Sequence, residues 1–246
     1  MQDYILEMKD ISKIYGNGIA ANKDVNFNLK KGEIHALVGE NGAGKSTLMK
    51  VLFGMEPPSS GEIILRGESV RFSSSKDAIA HGIGMVHQHF MLVESFTAAQ
   101  NIILGMEPKK GLFVSEEEAV RFTKELSSRY NLEVEAEAVT RTLPVGVKQK
   151  IEILKALARG AEILILDEPT AVLAPQETDQ LFEELIHLKE QGHTIVFISH
   201  KIPEIKRISD RITVMRQGCF IGTVDKQDTS PSDLARMMIG REVFLD

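Results

Sequence analysis

Short apolar runs recur along the chain, each followed by turn residues or by a segment with helical spacing. Four of these runs predict buried strands, at residues 33–38, 84–87, 162–166 and 194–198. Apolar runs with little polar alternation are typical of strands that are covered on both faces, as in a parallel sheet. Shorter apolar groups predict further strands at residues 63–65 and 70–72 and on both sides of Gln217-Gly218.

Helical patterns separate many of these strands, and the clearest one covers residues 175–191. Pro175 suits the first turn of a helix, and Gly192 follows its end. One face of this segment carries Leu181, Leu185 and Leu188. Because residues spaced three and four apart share a helix face, we expect these leucines to face a core.

Residues from about 93 to 158 have a different character, with helical patterns and without long β-branched runs. Ser115 and Glu118 have the spacing of a capping box, which predicts a helix that runs to about Tyr130. Further helices are predicted at residues 47–53, at 148–159 and from about Ser230 onward. The pattern therefore predicts an α/β core with a helical insertion.

Composition narrows the class of protein without identifying it. The chain has 246 residues, a formal net charge of −6 and one cysteine, Cys219. The acidic balance argues against non-specific binding of nucleic acid, and a single cysteine favours a reducing compartment. The start of the chain lacks the apolar core of a signal peptide, and no apolar stretch approaches the 18 residues of a membrane span.

The strongest chemical signal is a glycine-rich segment directly after the strand at 33–38. It reads Gly39-Glu40-Asn41-Gly42-Ala43-Gly44-Lys45-Ser46 and is followed by Thr47. This is the phosphate-loop pattern, in which glycines let backbone amides converge on phosphates at the start of a helix. We expect Lys45 to reach the β- and γ-phosphates of a nucleotide and Ser46 to bind Mg²⁺.

A second signal is the pair of carboxylates, Asp167 and Glu168, at the end of the strand at 162–166. The carboxyl ends of parallel strands meet at one edge of a sheet, so this pair is expected beside the phosphate loop. Asp167 is predicted to hold Mg²⁺ and Glu168 to polarise the attacking water. By contrast, His81, His87 and His89 lack a Cys or carboxylate set that would complete a metal site.

Together with four further elements, these motifs resemble the ATP-binding-cassette (ABC) ATPases over nearly the whole chain. Tyr15 precedes Lys45 by 30 residues, Gln88 lies in His87-Gln88-His89, and His200 follows the strand at 194–198. The segment with Leu143, Pro144, Val145, Gly146 and Gln149 is similar to the family's signature, which is typically Leu-Ser-Gly-Gly-Gln. All six elements stand in the family's order.

The resemblance implies roles for single residues. Tyr15 would stack on adenine, Gln88 would serve as the Q-loop residue that contacts Mg²⁺ and the reacting site, and His200 would contact the γ-phosphate. It implies an α/β phosphate-loop NTPase core with a mainly parallel sheet, a small antiparallel β subdomain and a helical subdomain. The whole of 1–246 would be one ABC ATPase domain, with the core and β subdomain at 1–92 and 159–246 and the helical subdomain at about 93–158.

The chain departs from the family pattern at two places. Pro144 stands where the signature serine is usual, and Ala174 ends Ala171-Val172-Leu173-Ala174 where Ser-Ala-Leu-Asp is common. In this family the signature of one domain completes the ATP site of another, so Pro144 removes a hydroxyl and an amide proton from that partner site. We therefore expect the partner site, and the coupling between the two sites, to be weakened.

The residues around Gln88 and after Glu168 resemble the sugar and nucleoside uptake branch of bacterial importers, and within it the nucleoside type. Such ATPases usually carry two cassettes in one chain, and Met238-Ile239-Gly240-Arg241-Glu242-Val243 resembles the junction after the first. This suggests an N-terminal half of a tandem protein.

The resemblance implies ATP and Mg²⁺ as ligands, and as partners a second cassette, membrane permease subunits and, indirectly, an extracytoplasmic solute-binding protein. No nucleic acid is expected, and the cassette would work on the cytoplasmic face of the membrane. The sequence leaves two alternatives open. One is a soluble ABC ATPase that acts as a mechanical switch on DNA or ribosomes, and the other is a regulatory cassette that mainly binds nucleotide.

Overall fold

A computed structural model describes residues 4–106, 109–110 and 113–240. Its strands are β1 (Tyr4–Ile14), β2 (Ala20–Lys30), β3 (Ile34–Val38), β4 (Ser60–Leu65), β5 (Glu68–Val70), β6 (Ile83–Val86), β7 (Lys109–Lys110), β8 (Phe113–Val114), β9 (Ile163–Asp167), β10 (Thr194–Ser199), β11 (Arg211–Arg216) and β12 (Cys219–Asp225). Its α-helices are α1 (Lys45–Leu52), α2 (Ser75–Ala80), α3 (Ala98–Ile103), α4 (Glu116–Tyr130), α5 (Val145–Ala158), α6 (Pro175–Glu190), α7 (Ile202–Ile208) and α8 (Pro231–Ile239). Arg241, Glu242 and Val243 of the junction-like segment lie outside the described residues.

One ten-stranded sheet organises the described chain. Its strand order is β5-β4-β1-β2-β12-β11-β3-β10-β9-β6. The strands from β5 to β2 pair antiparallel, whereas β11, β3, β10, β9 and β6 run parallel. The predicted α/β class with a parallel core and an antiparallel part is therefore confirmed.

The parallel part carries the buried strands that the apolar runs predict. β3, β6, β9 and β10 are buried along their whole length. In register, Ile198 pairs with Asp167 and Ser199 with Val38, so three strands end side by side. The residues that follow them are consequently neighbours, although they are distant in sequence.

Several predicted boundaries shift. Helix α1 begins at Lys45 rather than at 47, and α5 begins at Val145 rather than at 148. The predicted strand at 70–72 is found at Glu68–Val70, where it pairs with β4 across a turn at Arg66-Gly67. Phe72 is buried outside any strand, so its apolar character reflects core packing.

The long strands β1 and β2 were not predicted from the hydrophobic pattern. Their pairing contains irregular positions between Met8 and Ile11 and again near Ile14, and Asp10 and Asp24 have positive φ angles. An extra or twisted residue resets the alternation of inward and outward side chains, so a strict two-residue period is lost.

The helical insertion contains α3, α4 and α5, together with the short hairpin β7-β8. Ser115 caps α4 as predicted, because its side chain accepts a hydrogen bond from the amide of Glu118. Buried residues of α5 such as Ile151 and Leu154 join a cluster with Leu164 and Phe197 of the sheet. Within the described residues, no helix is both long and apolar enough to cross a membrane.

Candidate nucleotide site

The glycine-rich loop connects β3 to α1, with Gly39 and Gly44 at its two ends. A Cβ on Gly39 would lie 2.3 Å from the carbonyl oxygen of Met215, and one on Gly44 would lie 2.4 Å from that of Ala21. Gly44 also has a φ of +96°, which disfavours residues with side chains. These glycines let the loop lie directly against the sheet while its tip, at Glu40, Asn41 and Gly42, is exposed.

Lys45 is buried within the loop that precedes it. Its Nζ donates to the carbonyl oxygens of Gly39 at 2.7 Å and Glu40 at 3.1 Å. Burial lowers the pKa of Lys45, and the negative charges of Glu168 and Asp167 oppose that change. The ammonium group is thus held at the centre of the loop, where converging amides favour an anion.

Ser46 and Asp167 face each other across the start of α1 and the end of β9. The Ser46 Oγ lies 3.5 Å from Oδ1 of Asp167. Burial is the main factor that raises the pKa of Asp167; the neighbouring charge of Glu168 also raises it, and the bond from Ser46 opposes the change. A hydroxyl beside a partly desolvated carboxylate is an oxygen donor set that fits Mg²⁺, whose charge would keep Asp167 ionised.

Glu168 and His200 form a direct pair at the ends of β9 and β10. Oε1 of Glu168 lies 3.0 Å from Nδ1 of His200. Oε2 of Glu168 is buried and has no hydrogen-bond partner among the described residues. Glu168 also has a φ of +49°, a strained angle for a residue with a side chain. One carboxylate oxygen is therefore oriented by the histidine, and the other is a buried acceptor whose hydrogen-bonding capacity is unused among the described residues.

Tyr15 lies immediately after β1 and is half-buried beside α1. Burial raises the pKa of its hydroxyl, which lies near the side chains of Thr47 and Glu56. The Lys13 ammonium group lies 5.3 Å from the centre of the Tyr15 ring. The structure thus brings Tyr15 next to Thr47, the residue that follows the phosphate-loop motif.

Gln88 is exposed two residues beyond the end of β6. Val86 pairs with Leu166, so β6 ends beside β9, and Gln88 lies at the same edge of the sheet as Asp167 and Glu168. In the part of the chain that the structure describes, no hydrogen bond joins its side chain to the other candidates. The fold brings Lys45, Ser46, Asp167, Glu168 and His200 together, and Gln88 follows β6 at the same edge of the sheet.

The signature-like segment forms the start of α5. Pro144 is the N-cap of this helix and supplies no side-chain cap, and Val145 is partly exposed. Leu143 packs against the core cluster that contains α5, and Gln149 is buried, with no partner for its Nε2 in the described part of the chain. These residues lie together at one helix end and form no contact with the phosphate loop of the same chain among those described.

Glu177 joins this helix end to the loop that follows Glu168. Its Oε1 accepts from the Gly146 amide at 3.1 Å, and its Oε2 accepts from the Ala174 amide at 2.9 Å. A Cβ on Gly146 would lie 2.8 Å from Oε1 of Glu177, so a larger residue there would require the Glu177 side chain to shift. Sequence reasoning missed Glu177, although an acid at the third position of α6, after Pro175, is a signal for a helix start.

The site residues fall into two sets with different chemistry. The phosphate edge comprises residues 39–46, Asp167, Glu168 and His200. The signature edge comprises residues 143–149 and 171–177. The phosphate edge holds a lysine, a hydroxyl, two carboxylates and an imidazole, whereas the signature edge offers mainly backbone and apolar groups.

The fold and the phosphate edge together define a phosphate-loop nucleotide-binding domain. A family model described as ABC transporter matches residues 22–171, well over half of the chain. The chain therefore belongs to the ABC transporter family, and it is an ATP-binding cassette.

Two curated relatives match almost the whole chain. The guanosine import ATP-binding protein NupO of Bacillus subtilis is 52% identical over 98% of this chain and 47% of its own length. The nucleoside import ATP-binding protein NupA of Lactococcus lactis is 50% identical over 97% of this chain and 47% of its own length. The chain thus spans about half the length of these relatives.

Solved cassettes share the fold. The dimeric structure of an ATP-binding cassette in a post-hydrolysis state, bound to ADP and phosphate, matches with a TM-score of 0.76 at 27% identity. The match covers 90% of this chain and 98% of that one.

Proposed function

We propose that this cassette hydrolyses ATP and that the resulting cycle drives a membrane importer of nucleosides. The observation that carries the proposal is the Glu168–His200 pair, with one free carboxylate oxygen, beside the buried Lys45. Such a group can bind a nucleotide by its phosphates and orient a water for attack.

Hydrolysis would proceed by in-line attack of water on the γ-phosphorus of ATP. The new P–O bond to water forms as the bond to the oxygen of ADP breaks, and the water proton passes to Glu168 or to a phosphate oxygen. Glu168 would orient the water, and His200 would hold the carboxylate and contact the γ-phosphate.

The phosphate loop would stabilise the negative charge of this reaction. Lys45 would exchange its two carbonyl partners for β- and γ-phosphate oxygens, and loop amides would donate to the same phosphates. Ser46 and Asp167 would hold Mg²⁺, and Gln88 would contact the same ion. When bound, Mg²⁺ supplies positive charge to the phosphates. Tyr15 would stack on adenine.

The signature edge would face a second cassette and help to cover the ATP bound there. The likeness to a dimeric cassette and the length of the relatives support such pairing. The helical insertion, at about residues 93–158, would connect this movement to permease subunits at the cytoplasmic face of the membrane. A solute-binding protein would act outside, without contact to this chain.

Nucleosides are the proposed cargo because the two relatives above are named as ATP-binding proteins of nucleoside and guanosine import. Simple sugars are the second candidate within the same branch. Solute contacts lie outside this chain, so solute-stimulated hydrolysis in the assembled importer is the measurement that separates the two.

The hydrolytic role is tested by replacing Glu168 with Gln. Phosphate release should fall by about 10²- to 10⁴-fold, the range for a residue that handles a proton in catalysis, while ATP binding is retained. Glu162→Gln is the matched control, because Glu162 is an exposed carboxylate at the opposite end of β9 that pairs with Arg66. Hydrolysis at the normal rate in Glu168→Gln would contradict the proposal.

A second candidate function is a regulatory cassette that binds ATP with little turnover. It is favoured by Pro144 and Ala174, which leave the signature edge without a hydroxyl or carboxylate at those positions. ATP binding by the unaltered chain without hydrolysis in the presence of its partner cassette would support this second function.

A further inference from the structure

Asn22 lies beneath the phosphate loop, on β2, and is fully buried. Its Nδ2 donates to the carbonyl oxygen of Gly44 at 3.1 Å. Gly44 is the N-cap of α1, and its carbonyl also accepts the helix bond from the amide of Leu48 at 2.9 Å. A residue outside the motif thus contacts the loop at the peptide where the helix begins.

The planarity of the peptide gives this contact a consequence on the other side of the loop. The carbonyl of Gly44 and the amide N–H of Lys45 belong to one trans peptide unit, in which the two groups point in opposite directions. A bond that fixes the carbonyl toward Asn22 therefore fixes the Lys45 N–H away from it, out of the start of α1. That is the direction from which an anion approaches a helix N-terminus.

Gly44 needs such a restraint more than an ordinary residue. Its φ of +96° lies in a region open mainly to glycine, so the orientation of the peptide that follows depends on its hydrogen bonds, from Leu48 and from Asn22. The backbone of β2 and Asn22 leave no space on this side, because a Cβ on Gly44 would lie 2.6 Å from Nδ2 of Asn22. The close packing and the hydrogen bond act on the same peptide.

Burying the Asn22 side chain also costs free energy of folding, and packing alone does not explain why a polar residue occupies this position. Its Oδ1 is buried and has no hydrogen-bond partner in the described part of the chain. The opposite orientation of the amide would direct Oδ1 at the Gly44 carbonyl, two acceptors against each other, so the bond to Gly44 fixes the orientation observed. Burying an unpaired carbonyl is unfavourable, and an apolar side chain of similar shape would avoid it.

We propose that Asn22 is a positioning residue of the phosphate loop, which aims the Lys45 amide at the bound phosphates by holding the Gly44 carbonyl. This role rests on the proposed function, since it requires a nucleotide in the loop. It extends the set of site residues to β2, outside the phosphate-loop motif.

The test is Asn22→Leu, which keeps the approximate shape of the side chain and removes both polar atoms. We expect the dissociation constant of a non-hydrolysable ATP analogue, measured with Mg²⁺ by titration calorimetry, to rise about 3- to 10-fold. The melting temperature should stay equal or rise, because the Gly44 carbonyl keeps its bond from Leu48 and the unpaired Oδ1 is gone.

Asn101→Leu is the matched control. Asn101 is also fully buried, but its Oδ1 accepts from the Val93 amide at 2.8 Å and its Nδ2 donates to Thr140 at 2.9 Å. Here the melting temperature should fall, because satisfied bonds are lost, and the affinity for the analogue should not change. Asn22→Ala provides a smaller replacement with the same expected loss of affinity if the leucine variant does not fold.

Each outcome supports or overturns the role. Weaker binding with retained stability supports it. Unchanged affinity in Asn22→Leu or Asn22→Ala would overturn it, as would an affinity loss that only follows a loss of stability. If the unaltered chain does not bind the analogue, the proposed function fails together with the role; if it binds and the variants bind equally, only the role fails.

Discussion

The phosphate edge and the signature edge are built in different ways although both lie in one small chain. At the phosphate edge, side chains of opposite charge and complementary chemistry converge from three segments, and Glu168 keeps an oxygen without a partner among the described residues. At the signature edge, Pro144 and Ala174 supply no polar side-chain group, and the Gly146 amide is already bonded to Glu177.

This difference suggests that the two edges would contribute unequally to the ATP sites of the proposed cassette pair. In the proposed function, the phosphate edge would bind the chain's own nucleotide, whereas the signature edge would offer few donors to a nucleotide held by a partner. A pair of identical copies would therefore combine two complete phosphate edges with two weak signature edges. A second cassette with a different signature would give one site with a stronger set of donors.

The largest effect on nucleotide affinity is expected from removing the charge at the centre of the phosphate edge. Lys45→Ala should weaken binding of Mg²⁺-ATP by about 10- to 100-fold, because a charge-assisted bond to phosphate is lost. Titration of the purified chain with nucleotide measures this. Lys31→Ala is the control, since Lys31 is an exposed lysine in the turn before β3. Equal affinity in Lys45→Ala and Lys31→Ala would remove the basis for the comparison.

Restoring polar groups at position 144 of the signature edge should raise the rate of ATP hydrolysis. Pro144→Ser provides a hydroxyl and an amide proton at the N-cap of α5, a position where serine is favoured, so the variant is expected to fold. We expect hydrolysis per chain at high protein concentration to rise by about 10-fold, since a bond to a charged phosphate is gained.

Pro144→Ala separates the two groups, because it restores only the amide proton. Its hydrolysis rate should lie between those of the unaltered chain and Pro144→Ser. Equal rates in all three proteins would mean that the signature edge does not limit turnover.

The smallest effect concerns the strand that leads into the phosphate edge. His35 on β3 is fully buried. Its Nδ1 lies 3.0 Å from Oε1 of Glu33, and its Nε2 lies 2.7 Å from Oγ1 of Thr213. Burial lowers the pKa of His35 from its ordinary 6.5, and the charge of Glu33 opposes this. Below pH 6.5 the unfolded chain takes up a proton that the folded chain does not, so the free energy of unfolding falls with falling pH.

This contribution amounts to at most about 1.4 kcal/mol per pH unit, and it ends below the folded pKa. His35→Gln should therefore show a shallower loss of stability between about pH 6.5 and 5 than the unaltered chain, by chemical denaturation at each pH. An equal slope in the two proteins would show that His35 titrates alike in both states.

The sequence predicts the phosphate edge well because its signals are local. The phosphate-loop motif is one continuous segment, and Asp167, Glu168 and His200 lie at the ends of buried apolar strands. Once the sheet is taken as parallel, the shared edge follows from the register.

The remaining features depend on contacts between distant segments. The bond from Asn22 to Gly44, the link from Glu177 to Gly146 and the early start of α5 have no local pattern that specifies them. The strands β1 and β2 were missed for another reason, since irregular pairing at Asp10 interrupts the alternation that identifies a strand.

The most direct test of the central claim is the mass of the Glu168→Gln chain by light scattering, with bound ATP quantified in the same sample. A complete phosphate edge and a weak signature edge predict a monomer that holds ATP, and a dimer once Pro144→Ser is added to it. An ATP-dependent dimer of the Glu168→Gln chain with its own Pro144 would contradict the account, because the signature edge would then be sufficient as it stands.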